Sequence, residues 1–305
     1  MSTIVPERST VLHPGVVDAS APPGRDEEQG RRITSQMLIG VSLLVTWFLV
    51  YLFVLSGLEQ GQVQAGLYSR LRTELAEGTA PTGAPIEPGR PVALLSIPGI
   101  DVEDVVVVEG SRPGQLQDGP GHVLGSVLPG QQGLSQVAGR SLSFGAPFAR
   151  IDELPVGAAV EVTTAQGEFT YRVLGSRTEG DPLPPAPAAG ASRLTLVTAS
   201  RGTGLGGLQP QETVYVDAAL DEGAVVAGQV ALKDTGVTLM SARADTTTLA
   251  LLALALQVLV ATLAGFAWAW SSWSRPAAWL AGGPCVLAAL WLVSSLASRL
   301  LPALI

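Results

Sequence analysis

The chain has 305 residues. Its apolar fraction of 47% and its mean hydropathy of +0.36 are too high for an ordinary soluble protein and point to membrane spans. A net charge of −8 argues against a nucleic-acid partner. The chain holds one cysteine, Cys285, and two histidines, His13 and His122. This excludes an internal disulfide and a Cys/His metal cluster, so we predict no metal and no cofactor.

The first part of the chain predicts a membrane anchor. Residues 1–32 are rich in proline, glycine and charge, which favours a disordered cytoplasmic tail. The uncharged run 33–58 is long enough for transmembrane helix 1, and its length and its flanks fit a retained anchor better than a cleaved signal peptide. Residues 59–91 read as a stalk, with an amphipathic helix followed by a Pro/Gly linker.

Residues 92–220 alternate short β-type runs with turn signals such as Pro98-Gly99 and Pro129-Gly130. Seven or eight strands at this spacing predict a small β-barrel or a sandwich. The runs are 92–97, 105–108, 134–138, 160–162, 169–174, 194–197 and 214–216.

The last part of the chain predicts a transmembrane hairpin. After a connector at 221–245, the segments 246–274 and 276–298 carry no charge, and each is long enough to span a bilayer as transmembrane helices 2 and 3. Four tryptophans lie near Arg275, as aromatic residues do at a membrane interface. Arg31 and Arg32 put the N-terminus in the cytoplasm by the positive-inside rule, so the β domain is predicted to be extracytoplasmic in a multi-pass protein of the cell membrane.

The strand 194–197 runs into Ala199-Ser200-Arg201 and then into a glycine-rich stretch. A loop at the end of a rigid strand is a common place for a catalytic nucleophile. Here the position carries Ala199, whose methyl side chain has no reactive group.

Several motifs in colinear order carry a resemblance to a known family. They are LSIPGI at 95–100, GPGHVLGSVLPGQQG at 119–133, VAGR at 137–140, FGAPF at 144–148, IDELPVG at 151–157 and LTLVTA at 194–199. Together they resemble the sortases of Gram-positive bacteria, especially the class C and E types, and suggest an actinobacterium-like background. The resemblance implies a mainly β fold: an eight-stranded barrel, extracytoplasmic, on a membrane-anchored protein.

The resemblance also implies that the chemistry of the family is lost. Sortases are transpeptidases that cut a sorting signal with a cysteine and pass the acyl group to an amine. The chain has Ala199 at the position that the motif gives to the cysteine, Arg140 at that of the histidine, and Thr213 near that of the arginine. We therefore predict an inactive homologue, since covalent catalysis needs an activated nucleophile.

The remaining groove candidates are Arg140, Ala199, Ser200, Arg201 and His122. Arg140 has two possible roles. It binds an anion or a carboxylate in the groove where the family has its active site, or it forms a salt bridge that fills the space of the missing histidine. His122 is expected to be a structural residue, and Ser200 a turn residue rather than a displaced nucleophile.

Three functions follow from these observations. The first is a pseudoenzyme that binds an extended peptide or another envelope protein, or acts as a scaffold. The second is an active sortase-type transpeptidase or hydrolase that works without a cysteine. The third is an accessory subunit of a membrane transport or secretion complex, because the hairpin adds two spans to the anchor.

Overall fold

The computed structural model describes residues 25–200, 212–231 and 246–304. These residues divide at Trp47 into a first unit, which is helical, and a second unit, which begins at Phe48 and holds the barrel. Helix α1 covers Arg25–Val50, a π-helical turn covers Tyr51–Leu55, and α2 covers Ser56–Ala76. Residues 25–32, predicted to be disordered, are thus helical, because no proline or cluster of turn residues interrupts the chain between Pro23 and Pro81.

Eight strands form one closed barrel in the order β1-β2-β3-β4-β7-β8-β6-β5. The pairs β2–β3 and β4–β7 are parallel and the others are antiparallel. The strands are β1 Pro91–Ile97, β2 Val102–Glu109, β3 Gly121–His122, β4 Gly133–Ala138, β5 Ala159–Thr164, β6 Gly167–Thr178, β7 Ser192–Ala199 and β8 Thr213–Leu220.

The barrel confirms the predicted fold class and decides between barrel and sandwich. β3 was not predicted, because two residues are too short to show an alternating pattern. A single-turn helix, α3 (Gln115–Asp118), lies between β2 and β3 and was also not predicted. Inside the barrel, strand residues that point inward are buried, among them Leu95, Val160, Tyr171, Leu194 and Val216.

Helix α2 packs along the barrel instead of forming a free stalk. The Gln64 side chain donates from Nε2 to the carbonyl oxygens of Asp118, at 2.7 Å, and Val106, at 3.1 Å. Its Oε1 accepts from the Val106 N–H at 2.8 Å. One amide side chain therefore ties α2 to β2 and to the end of α3.

Replacing Gln64 with leucine is expected to destabilise this contact by about 1–3 kcal/mol, because it leaves the buried peptide group of Val106 without its partners. Hydrogen exchange at the Val106 amide in the detergent-solubilised full chain measures the loss. Gln62→Leu, at an exposed position on the same helix, is the matched control. Equal exchange in the two variants would contradict a docked α2.

Two further helices follow the barrel, α4 (Thr246–Ser272) and α5 (Arg275–Ser298). Together with the helix Thr34–Ala76, the described residues contain three helices that are long and apolar enough to cross a membrane. This confirms one N-terminal and two C-terminal candidate spans. α4 and α5 pack closely at Gly282, where a Cβ atom would collide with the Phe266 ring.

Candidate functional site

The positions singled out by the sequence meet at one end of the barrel. β4 and β7 are parallel neighbours, so Ala138 lies beside Val197 and the residues after both strands leave at the same edge. The Thr198 hydroxyl donates to the Gly139 carbonyl at 2.9 Å. On the other side of β7, Thr213 at the start of β8 pairs directly with Ala199. We call the ends of β4 and β7 with the start of β8 the Ala199 corner.

Ala199 is enclosed by apolar side chains and is only 2% exposed. It belongs to a small hydrophobic cluster that is separate from the barrel core. The buried members besides Ala199 are Leu116, Ala138, Val197, Ala303 and Leu304. Residues from α3, from β4 and from the end of the described chain thus cover the position where the resemblance implies a nucleophile.

Arg140 is fully buried, with no exposed surface. Its guanidinium group donates from Nε to the Leu116 carbonyl, from Nη1 to the Ser143 hydroxyl and from Nη2 to the Pro113 carbonyl, each at 3.1 Å. The group also lies 4.9 Å from the centre of the Phe144 ring, a cation–π contact. Arg140 therefore fastens α3 and the loop after β4 together, and the structure does not present it as an open anion clamp.

Burial lowers the pKa of Arg140 to about 9, because the charged form loses its hydration. The side chain stays protonated at neutral pH, where it cannot take a proton from a nucleophile.

The loop after β4 is held in an unusual conformation by the helix that carries the π-helical turn. Phe144, Gly145 and Ala146 have positive φ angles of 51°, 68° and 44°, a strained region for the two residues that have a Cβ. The Phe144 N–H donates to the Ser56 hydroxyl at 3.0 Å, and the Phe144 ring meets Tyr51 edge to face at 6.4 Å. These contacts explain the FGAPF motif as a packing element.

His122 takes part in an arrangement that the sequence did not reveal. Its Nδ1 lies 2.8 Å from Oε2 of Glu109, and its Nε2 lies 3.0 Å from both the Ser126 hydroxyl and the Val127 carbonyl. The residue types are those of a Ser–His–acid triad. The Ser126 hydroxyl, however, donates to the Val123 carbonyl at 2.7 Å.

The burial of this group and the hydrogen bond of Ser126 favour a structural role for His122. The donor and acceptor roles of its two ring nitrogens depend on the tautomer, because acceptors lie at both of them: the Glu109 carboxylate at Nδ1 and the Val127 carbonyl at Nε2. The Ser126 hydroxyl donates to the Val123 carbonyl, which holds it as a turn residue. His122 and Glu109 are both buried, and the pair joins β2 to β3 as a structural element.

The other predicted residues are placed as follows. Thr213 is 3% exposed, and Ser200 is half-buried with its N–H bonded to the Glu212 carbonyl at 2.8 Å. Arg201 and the glycine-rich stretch after it lie outside the described residues. Cys285 is exposed on α5. Among the residues that the structure describes, no group of three or more His, Cys, Asp or Glu side chains could hold a metal ion.

Sequence reasoning missed four residues of this region: Leu116, Ser141, Ala303 and Leu304. The Ser141 N–H and hydroxyl both approach the Leu304 carbonyl, at 2.9 and 3.2 Å. Ser141 and Leu304 are separated by more than half of the chain, so no local pattern could have paired them. The one available signal was the apolar stretch Leu301-Pro302-Ala303-Leu304 after an otherwise complete span.

Comparison with known proteins identifies the family of the barrel. The family model described as "Sortase domain" matches residues 95–220. Sortase D of Bacillus subtilis (strain 168) is 32% identical over 88 residues, which cover 29% of this chain and 42% of that relative. The barrel domain of this chain thus belongs to the sortase family, while the matched segment spans less than half of the length of this relative.

Solved sortase structures are also similar to this chain. A Clostridium perfringens Sortase D5 transpeptidase has 22% identity and a TM-score of 0.44, covering 53% of this chain and 99% of that one. Sortase E from Streptomyces avermitilis has 25% identity and a TM-score of 0.37, covering 45% of this chain and 91% of that one.

Proposed function

We propose that this chain is a sortase-like pseudoenzyme, a membrane-anchored scaffold or peptide-binding module of the cell envelope that lacks transpeptidase chemistry. The observation that supports this most is the packing of the Ala199 corner. Ala199 is buried under Leu116 and Leu304, and Arg140 is fully enclosed by carbonyl and hydroxyl partners. The corner is built for packing, with no reactive group in contact with solvent at either position.

The chemistry of the individual side chains supports the same proposal. Acyl transfer through an enzyme intermediate needs an activated nucleophile, a base and a group that stabilises the oxyanion. A methyl group stands at Ala199, a protonated guanidinium at Arg140 and an uncharged hydroxyl at Thr213. A structural role for His122 fits its surroundings, because it is buried against Glu109 and the neighbouring Ser126 hydroxyl donates to the Val123 carbonyl.

We also propose that the barrel lies outside the cytoplasm. The positive charges of Arg25, Arg31 and Arg32 precede the first span, and positive charges favour the cytoplasmic side. Three spans then leave the barrel and the end of α5 on the same, outer side. Labelling of an exposed Val156→Cys in intact cells with a membrane-impermeant maleimide, in a Cys285→Ser background, tests this orientation; protection until the cells are lysed would contradict it.

The test of inactivity is a turnover assay. The full chain in detergent micelles is expected to release no product above a buffer blank from a fluorogenic sorting peptide, because no nucleophile is available at position 199. A cysteine-containing sortase assayed in parallel with the same peptide shows that the assay works.

The outcome that would contradict the proposal is product release that Ser200→Ala or Ser126→Ala abolishes, since this would identify a displaced serine nucleophile. A second arm restores the positions given by the family motif, with Ala199→Cys, Arg140→His and Thr213→Arg together. Activity regained in this variant alone would identify a sortase framework whose chemistry was lost by substitution.

A further inference from the structure

The loop between β6 and β7 carries the sequence DPLPPAP at residues 181–187, which we call the proline run. Each of these seven residues is a proline or directly precedes one. A proline ring fixes φ at about −65°, and the residue before a proline is restricted to extended conformations. The run is therefore confined to the polyproline II region, and residues 182–188 form neither helix nor strand.

Two points of the proline run are fixed to the barrel. At its start, Oδ2 of Asp181 accepts from the N–H and the hydroxyl of Thr178, at 2.7 and 3.2 Å. Four residues further on, the Pro185 carbonyl accepts from Nη1 of Arg193 at 2.6 Å. Thr178 lies level with Thr198 of β7, with β8 between them, and Arg193 lies five residues or about 17 Å back along that strand. Four polyproline II steps cover about 12 Å, and the arginine side chain reaches the rest, so the contacts fit an extended run.

The exposure of the side chains follows the period of this conformation. Polyproline II has about three residues per turn, so every third residue lies on the same edge. Pro184 and Pro187 share one edge, and both are half-buried. The residues on the other two edges are exposed, namely Pro182, Leu183, Pro185 and Ala186. One edge of the run thus lies against the barrel, and two edges face solvent.

The two exposed edges have the features of a polyproline II ligand. Pro182 and Pro185 form a PxxP pair on one edge. Leu183 between them is 80% exposed, more than any other large apolar side chain that the structure describes outside the candidate spans. Grooves lined by aromatic side chains bind such segments, because a preformed polyproline II helix loses little conformational entropy on binding. Glu179 and Asp181 at the start are exposed and acidic, which favours a basic residue at that end of the groove.

We propose that the proline run is a ligand that this chain presents to another protein, one whose groove is lined by aromatic side chains and has a basic residue at one end. The two exposed edges enter the groove, while the third edge and Arg193 keep the run in place on the barrel. In this interaction the chain is the ligand and its partner is the receptor. The inference goes beyond the proposed function and does not depend on it, because it uses no property of the Ala199 corner.

Binding to purified domains tests the proposal. WW, SH3 and EVH1 domains hold polyproline II segments in aromatic-lined grooves. The full chain in detergent micelles should bind at least one of these domains, and alanine in place of an aromatic groove residue of that domain should lower the affinity at least about tenfold. A synthetic peptide of residues 179–188 should compete, and the same peptide with alanine for each proline should not. Absence of binding to all three domains would overturn the proposal.

A pair of double variants locates the contact on the chain. Pro182→Ala with Pro185→Ala should lower the affinity at least about tenfold, because it removes two exposed rings and the restriction on φ. Pro88→Ala with Pro155→Ala, at exposed prolines outside the loop, is the matched control and should bind as the parent chain does. Equal affinity of the two double variants would contradict a contact at the proline run.

Single substitutions test the apolar and the acidic parts separately. Leu183→Asp should lower the affinity at least about tenfold, whereas Val156→Asp, at a valine that is 74% exposed, should not. Glu179→Lys should weaken the binding, and Glu87→Lys, at an exposed glutamate outside the loop, should leave it unchanged. Full affinity of Leu183→Asp would overturn the docking of the exposed edges, and full affinity of Glu179→Lys would overturn the basic residue in the partner.

Discussion

Replacing His122 with phenylalanine is expected to lower the free energy of unfolding of the barrel by about 3–5 kcal/mol, because the change leaves the Glu109 carboxylate buried without its partner. This is the largest effect that we expect from a single substitution. Amide hydrogen exchange in β2 and β4 of the full chain measures it, and the exchange should be roughly 100-fold faster or more. Tryptophan fluorescence does not serve here, because none of the six tryptophans lies in the barrel: five lie in helices and Trp273 lies between α4 and α5.

A double variant separates the loss of the pair from the loss of packing. His122→Phe combined with Glu109→Leu removes both members of the pair and leaves no buried carboxylate, so it should be closer to the parent chain than His122→Phe alone. If His122→Phe left the exchange rates unchanged but abolished a hydrolytic activity, His122 would act as a catalytic base and the structural interpretation would be wrong.

The second large effect is expected at Arg140. Arg140→Lys keeps the positive charge but loses the planar fork that reaches the Leu116 carbonyl, the Pro113 carbonyl and the Ser143 hydroxyl. Loss of two of these bonds is expected to cost about 2–4 kcal/mol, because buried acceptors are left without donors. Hydrogen exchange in α3 and in the loop after β4 reports the change.

Arg140→Met is the informative companion, since it removes the charge as well as the bonds. If the hydrogen-bond fork is what stabilises the fold, the methionine variant should be at least as destabilised as the lysine variant, because all three acceptors then lose their donor. Were Arg140→Lys as stable as the parent but unable to bind acidic peptides, the clamp alternative from the sequence would be correct instead.

Some of the fold could be predicted because its signals are local. The strands around 92–97 and 194–197 are short runs of apolar and β-branched residues, and the segments 246–274 and 276–298 are uncharged over the thickness of a bilayer. The sortase motifs placed residues 140, 199 and 213 at one site before their geometry was known. The structure brings these three positions together at the Ala199 corner.

Other features could not be predicted because they depend on contacts between distant parts of the chain. Arginine is rarely buried, so nothing local indicated that Arg140 lies inside the protein and fastens α3 to the loop after β4. The docking of Gln64 on β2 and the pairing of His122 with Glu109 each join separate elements.

The sequence by itself determined that the chain combines a β-barrel with three apolar helices and that position 199 holds no nucleophile. Only the tertiary structure decided which side chains surround position 199. Ala199 lies beneath Leu304, a residue more than 100 positions away, and the Leu304 carbonyl is bound by Ser141. The reason is physical: a repeating apolar pattern specifies an element, whereas a contact between elements exists only once both have folded and their side chains exclude water together.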